Sequence, residues 1–383
     1  MKIDFWYTKI NSNTCIQSTL EDIDETISFK DVDSDLIDTN KLNFLVFKWK
    51  MGPTHIHSIE FIELLNKLQQ QDFYFIGDFS HEAHSNVDEL SLSFLNKLKL
   101  NGVDINRLIY VTNNSNHVGL NKIKYGNFTL NTCFFPYFYL QTYTILKNYI
   151  VDSDLNNDIT PDKKFLCLNR RMYHHKFKII EELFNRGLLD DTRFSWVDNK
   201  STKNFLNKKL IEYLKIDINN FKAIQLENDV MYGSELSVHE EFLYTINPNW
   251  YRKSKVNIIT ETFLNQLEIH ITEKTWKAIY LGIPFVIYAS KNHLKTLRGM
   301  GFKTFNSVIN EGYDNIGGKD KLNRVIDSAL ELSNIYNTPE VLDICKFNQE
   351  LYFNSIHRKQ ICKEVFLDKL YDIKNSITYK TLI

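Results

Sequence analysis

At 383 residues, with 43% hydrophobic and 14% aromatic side chains, the chain carries enough apolar material for two ordinary domains, which excludes disorder as its main state. Lys and Arg number 46 against 47 Asp and Glu, a formal net charge of -1, so no global field draws the protein to nucleic acid or an anionic membrane. Cys15, Cys133, Cys167, Cys345 and Cys362 are scattered without a C-x-x-C pair, the N-terminus lacks an apolar leader, and no apolar run reaches the ~18 residues that span a bilayer; a soluble cytoplasmic protein is expected.

Short apolar runs predict strands at Lys2–Tyr7, Asn43–Trp49, Phe73–Phe79 and Arg107–Thr112, and helical spacing predicts helices at Ile59–Gln69 and Leu90–Leu100. These make an α/β domain over residues 1–155. The acidic, weakly periodic stretch Asn11–Asn40 is expected as a surface excursion or an irregular short helix. Asp-x-Asp triplets at Asp22, Asp31, Asp33 and Asp152 have the form of a divalent-metal site, but none follows a convincing buried strand, so they read as solvated loops and no metal is expected.

Two places in this domain suggest chemistry. The run from Gly77 to His84 leaves a strand end with Asp78, His81 and Glu82 close together, where a general base would sit; the alternative is that Asp78 and Ser80 cap the next helix. The aromatic run Phe134–Tyr139 has the composition of a sugar-stacking surface, but such a run is more often core or an interdomain hinge contact, which is the reading expected here.

Val151–Asp162 is polar and acidic, the best linker in the chain. A second domain over 156–350 then opens with the strand Lys164–Leu168, which ends in Asn169-Arg170-Arg171. His174, His175 and Lys176 begin a helix that runs to about Arg186 and stops at Gly187. Arg170, Arg171 and Lys176 at this turn suit a phosphate or carboxylate, or else bridge to acids of the other domain. A strand at Arg193–Asp198 and a helix at about Thr202–Leu214 follow, and Glu227-Asn228-Asp229 lies in a poorly patterned stretch.

The most informative stretch is Lys255–Ser290. Val256–Thr260 is a strand ending on Glu261; Thr272 is a helix N-cap before Glu273–Tyr280; Gly282 stops that helix, and Phe285–Ala289 is a buried-strand run. This βαβ unit aims a helix N-terminus, with its unpaired N–H groups, at the edge where open α/β sheets bind anions. Lys274 is unusual there, because the helix dipole disfavours a cation at an N-terminus by ~0.3–1 kcal/mol; an anion between ammonium and helix end is expected, with the empty protein no less stable without the lysine. Beyond it come a helix at Asn292–Met300, a short strand at Phe302–Phe305, a polar turn at Glu311–Asp314, and helices from Lys319 with a fresh start at Thr338-Pro339. Residues 351–383, with a last helix around His357–Lys374, are expected to pack back on the first domain.

The string Thr260-Glu261, His270-Ile271-Thr272-Glu273-Lys274, Gly282-Ile283-Pro284 resembles the donor-binding motif of the α-1,3-fucosyltransferase family, and Asn169-Arg170-Arg171 resembles the arginine-bearing segment that opens the donor domain there. Thr262 stands where that family has Asn, His270 where it has Tyr, and the gap between the two glutamates is longer. The resemblance implies two Rossmann-like domains facing across a cleft, the GT-B architecture. It also implies metal-independent transfer of a sugar from a nucleoside-diphosphate donor, GDP- or UDP-linked, to a glycan or other hydroxyl acceptor, with no cofactor. Donor contacts would come from Asn169, Arg170, Arg171, Lys176, Glu261, His270, Thr272, Glu273 and Lys274, and the acceptor base from Glu82, Asp78 or His81. Rival readings are a non-catalytic nucleotide- or sugar-binding module and a transferase acting on nucleic-acid bases; the second needs a basic groove, of which the charge balance gives no sign.

Overall fold

The computed structural model describes residues 3–8, 14–23, 27, 29–33, 35, 37–38, 41–48, 58–79, 89–115, 122–146, 160–169, 173–196, 209, 212, 246, 248–264 and 269–381. The chain forms two compact units, one of Met1–Thr144 with Ser355–Ile383 and one of Ile145–Asn354. Among the described residues no helix is long and apolar enough to cross a membrane.

The first unit is built on a seven-stranded mixed sheet of order β2-β1-β3-β4-β5-β7-β6. Its strands are β1 (Ile3–Tyr7), β2 (Phe29–Asp31), β3 (Leu42–Lys48), β4 (Phe73–Phe79), β5 (Leu108–Thr112), β6 (Lys122–Tyr125) and β7 (Phe128–Phe134). All neighbours pair in parallel except β6 with β7. Strands β3 and β4 are buried along nearly their whole length, as continuous apolar runs must be in a sheet covered on both faces. Helices α2 (Ile59–Gln69) and α3 (Glu89–Leu100) supply Phe61, Leu65, Phe94 and Leu98 to the core against Phe47, Phe75 and Tyr110. The stretch expected as a surface excursion or an irregular short helix holds a short helix, α1 (Cys15–Ile23), and, beyond the expectation, the three-residue β2. So short a strand leaves no periodic signal, and its place is fixed by pairing with β1, Phe5 opposite Phe29.

Asp31 departs from the expected solvated loop, since it ends β2 with its side chain buried, accepting the N–H of Asp33 while its own N–H donates to Asp35; Asp33 and Asp35 themselves are exposed, as expected. The aromatic run at 134–139, which leads into α4 (Tyr137–Leu146), is core: Phe135 is fully buried and meets Phe366 edge-on at 4.9 Å, and the Tyr139 hydroxyl lies 2.9 Å from His357 Nδ1. These rings hold the C-terminal helices α11 (Ser355–Cys362) and α12 (Asp368–Thr381) to the first unit. They are two helices joined by a π-helical turn, Lys363–Leu367, where one was expected.

The second unit has a four-stranded parallel sheet of spatial order β11-β10-β8-β9, from β8 (Lys163–Asn169), β9 (Thr192–Trp196), β10 (Ser254–Thr260) and β11 (Phe285–Tyr288). The chain leaves β8 toward β9, then returns to place β10 on β8's other side, so the strand order reverses between β8 and β10. Right-handed crossovers then put α5 (His174–Asn185), which follows β8, and α7 (Glu273–Tyr280), which follows β10, on opposite faces. Helix α9 (Gly318–Ile335) packs beside α5 and α10 (Pro339–Phe353) against α7; α6 (Pro248–Arg252) precedes β10 and α8 (His293–Gly299) follows β11. Helices α5 and α7 end where Gly187 and Gly282 take φ of +67° and +63°, a conformation that β-carbon sterics discourage in other residues.

Residues Phe302–Phe305 do not form the expected strand. Their backbone is satisfied by side chains instead: Lys303 N–H donates to Asn348 Oδ1 and Phe305 N–H to Glu311 Oε1, while Phe302 packs on Trp276. Residues 197–208, most of 210–245 and residues 151–159 of the expected linker lie outside the described residues, and with them the helix expected near Thr202 and the Glu227-Asn228-Asp229 segment.

Candidate functional site

Parallel sheets bind ligands beyond the carboxyl ends of their strands, where the strand order reverses, because the flanking helices diverge there and leave a crevice. In the second unit that point lies between Asn169, the last residue of β8, and Thr260, the last of β10. Both are buried, and Thr260 Oγ1 donates a short hydrogen bond to Asn169 Oδ1, tying the two strand ends together. The backbone N–H of Asn169 donates to Ser195 Oγ on β9 at 3.1 Å, and its side-chain amide, which accepts from Thr260, donates to Cys167 Sγ at 3.4 Å, so the side chain is used within the strand ends.

Glu261 follows Thr260 and is 1% exposed. Its Oε1 accepts the N–H of Thr272 at 3.1 Å and the hydroxyl of Thr275 at 2.8 Å, and its Oε2 accepts the hydroxyl of Thr272 at 2.6 Å. Thr272 is the N-cap of α7, and its Oγ1 also accepts from the N–H and the ammonium of Lys274. The anion that the sequence implies between ammonium and helix end is therefore a side chain of the chain itself: Glu261 fills the N-terminus of α7. Lys274 Nζ lies 3.8 Å from Glu261 Oε2 and 3.6 Å from Glu273 Oε1, with its side chain 21% exposed against 1% and 9% for the acids. Every other residue of the helix is buried.

The electrostatics follow from this packing. Burial pushes the Glu261 carboxyl up, but Lys274 and the bonds from Thr272 outweigh it and hold the group below its ordinary value. Burial pushes Lys274 down, and Glu273 and Glu261 outweigh it in turn, so its ammonium is held above the ordinary value. Lys176 is 3% exposed; burial first, then the neighbouring Lys274, bring it down to about 7 against the pull of Glu261 and Glu273. One lysine is thus a fixed cation and the other sits at the edge of losing its charge.

Around this pair the site is aromatic. Tyr173, the N-cap of α5, stacks on His175 with ring planes at 5° and centroids 5.9 Å apart. Lys176 Nζ is 5.4 Å from the Tyr173 centroid, and His175 meets Tyr288 of β11 edge-on. Burial pushes His175 down to about 4, so it is neutral at pH 7 and, in the tautomer protonated at Nε2, donates to the carbonyl oxygen of Glu261 at 2.9 Å.

A second acid-filled helix start adjoins the first. Asp314 accepts the N–H groups of Leu294 and Lys295, both at 3.0 Å, at the beginning of α8. His293, the first residue of α8, is 2% exposed, with Nε2 3.9 Å from Glu261 Oε1; burial holds its ring below the ordinary value.

Of the residues singled out from sequence, the structure brings together Asn169, Lys176, Glu261, Thr272, Glu273 and Lys274, with His270 buried on the same loop and stacked on Phe263. Arg170, Arg171, His81 and Glu82 lie outside the described residues. Asp78 is buried in β4, where its carboxylate accepts the N–H of Ile16 at 2.9 Å in the first turn of α1. Sequence reasoning missed Tyr173, Thr275 and His293. Thr275 carried a usable signal, since it lies three residues from Thr272 and shares its helix face; His293 comes from another crossover and carried none. Among the described residues no group of three or more His, Cys, Asp and Glu side chains has the arrangement of a metal site.

No protein-family model matches the chain, and no curated protein matches it. Among solved structures it has a weak similarity to one described as "Crystal Structure of alpha1,3-Fucosyltransferase", at 9% identity over 90% of this chain and 80% of that chain, with a TM-score of 0.31.

Proposed function

We propose that the second unit holds the nucleoside diphosphate of a nucleotide sugar, GDP- or UDP-linked, at the carboxyl edge of its four-stranded sheet, and that the protein transfers the sugar to a hydroxyl acceptor such as a glycan. The observation that carries this reading is the coupled pair Lys274 and Lys176 beside the point where strand order reverses, one ammonium partly exposed and fixed, the other ready to gain its proton when an anion arrives. A departing sugar leaves negative charge on the β-phosphate, and two cations in poorly solvated surroundings would stabilise that charge without a metal. Glu273 takes the ribose hydroxyls in this reading, as the family resemblance implies, while Glu261 fixes α7 and thereby the position of Lys274. The sequence resemblance to fucosyltransferases supports the same assignment and suggests GT-B as the frame, with Arg170 and Arg171 adding to the cationic wall and His81 or Glu82 as acceptor base. Asp78 is the weaker candidate for that base, because its carboxylate already serves Ile16.

The test is a panel of UDP-, GDP-, ADP- and CMP-sugars read by thermal shift and calorimetry, with and without chelator. One donor class is expected to raise the melting temperature by mass action, unaffected by chelator, and Lys274→Ala is expected to weaken it about tenfold to a hundredfold. Binding that vanishes with chelator and returns with manganese contradicts the reading. A second reading, that Lys274 is a structural ion-pair partner in a non-catalytic module, is favoured by its two carboxylate neighbours. Normal nucleotide affinity in a destabilised Lys274→Ala protein decides for it.

A further inference from the structure

Tyr173 is 41% exposed, although large aromatic side chains in this unit are otherwise mostly buried. Its placement is not that of a loose surface ring. One face lies parallel to His175, and His175 is itself fixed by its hydrogen bond to the Glu261 carbonyl and by edge contact with Tyr288. The ring is therefore braced from behind by a chain of contacts that runs into the sheet, and little side-chain entropy remains to be lost when a flat ligand settles on it. As N-cap of α5 it has extended backbone, φ -76° and ψ 155°, and its side chain makes no cap hydrogen bond, so capping does not account for a tyrosine here.

The surroundings decide what kind of flat ligand suits it. Lys176 Nζ lies 5.4 Å from the ring centroid, and the Tyr173 phenol contributes to the field felt by Lys274. Tyr173 is thus a partly exposed ring with Lys176 over it and Lys274 within reach of its field. A planar, electron-rich ring carried on a phosphate satisfies both at once, the ring on the tyrosine and the phosphates on the lysines. A sugar alone would bring no phosphate to the ammonium groups, and a free phosphate would not use the ring.

We propose that Tyr173 is the stacking platform for the base of the nucleoside diphosphate whose phosphates meet Lys274. This assignment rests on the donor-site reading above and adds to it the base-recognition element. Stacking reads a π-face and not a hydrogen-bond pattern, so the platform accepts purine and pyrimidine alike and holds the larger purine more tightly.

Titration calorimetry of the full chain with GDP, UDP and inorganic pyrophosphate tests it, in wild type, Tyr173→Leu and Tyr173→Phe. Tyr173→Leu is expected to weaken GDP about tenfold or more, the usual scale for removing an aromatic platform beneath a base, and UDP by less. Pyrophosphate is expected to bind all three proteins equally, and Tyr173→Phe is expected to bind GDP as wild type does. If GDP binds wild type and Tyr173→Leu alike, or if pyrophosphate weakens as much as GDP, the stacking assignment is overturned while the donor site stands. If wild type binds neither nucleotide, the donor-site reading falls and the stacking assignment with it.

Discussion

Replacing Glu261 by Gln removes one charge from the site while nearly preserving its shape, and the structure fixes what this costs. The carboxylate is 1% exposed and accepts three hydrogen bonds, from Thr272 N–H, Thr272 Oγ1 and Thr275 Oγ1. A glutamine oxygen in the place of Oε1 keeps two of them. Its NH2 group then faces Thr272 Oγ1 at a position now 2.6 Å away, where that hydroxyl already receives the N–H and ammonium of Lys274. One hydrogen bond to a charged acceptor is lost, worth ~1.5–3 kcal/mol, and Lys274 keeps only Glu273 as an ionic partner. Breaking a fully buried pair costs ~3–5 kcal/mol, but Lys274 is partly exposed and solvent compensates in part, so ~2–4 kcal/mol is expected at pH 7.

The pH dependence supplies an independent check. The Glu261 carboxyl is held below its ordinary value of 4.5, so its contribution is complete above that pH and disappears as the pH falls through the lower folded value. Urea titrations of wild type and Glu261→Gln should therefore differ fully at pH 7 and 6 and begin to converge only as the pH falls below 4.5. Equal stability at pH 7, or a gap that persists unchanged into acid, would refute the account of Glu261 as the charged filler of the α7 N-terminus.

Other outcomes follow from the same geometry. Lys274→Ala should lower the stability of the empty protein, reversing the expectation drawn from the helix dipole alone, because it leaves Glu261 and Glu273 without their shared cation; thermal melts of the ligand-free variant check this. Lys176→Met should raise the melting temperature, and more at pH 6 than at pH 10: a lysine whose folded value is brought down to about 7 penalises folding fully below that pH and not at all above its ordinary 10.5. Asp314→Ala should cost ~1–2 kcal/mol in a urea titration, since it uncovers the N–H groups of Leu294 and Lys295 at a helix start; an unchanged midpoint would show that water replaces the carboxylate without loss.

Much of the scaffold was legible because its signals are local. Helix α2 and strand β4 fall on their expected limits, since a 3.6-residue or continuous apolar pattern needs only neighbouring residues to declare itself. Thr272 as cap, the limits of α7 and the stop at Gly282 were equally local matters of backbone chemistry. The stretch Phe302–Phe305 shows the boundary: its apolar pattern fits a strand, but Asn348, distant in sequence, and the nearer Glu311 take up the N–H groups of Lys303 and Phe305, and the stretch stays outside the sheet. The site divides the same way. Sequence places an orphaned helix N-terminus and a lysine at one sheet edge, and any anion satisfies that pair, a ligand or a carboxylate of the chain. Only the fold brings Glu261 onto Thr272 and Thr275 and sets His293 beside it, because which acid reaches a helix start depends on how separate crossovers meet at a strand end. It likewise decides that Tyr173 is braced by a ring behind it while most large aromatic side chains around it are buried, a distinction that depends on packing and not on residue type.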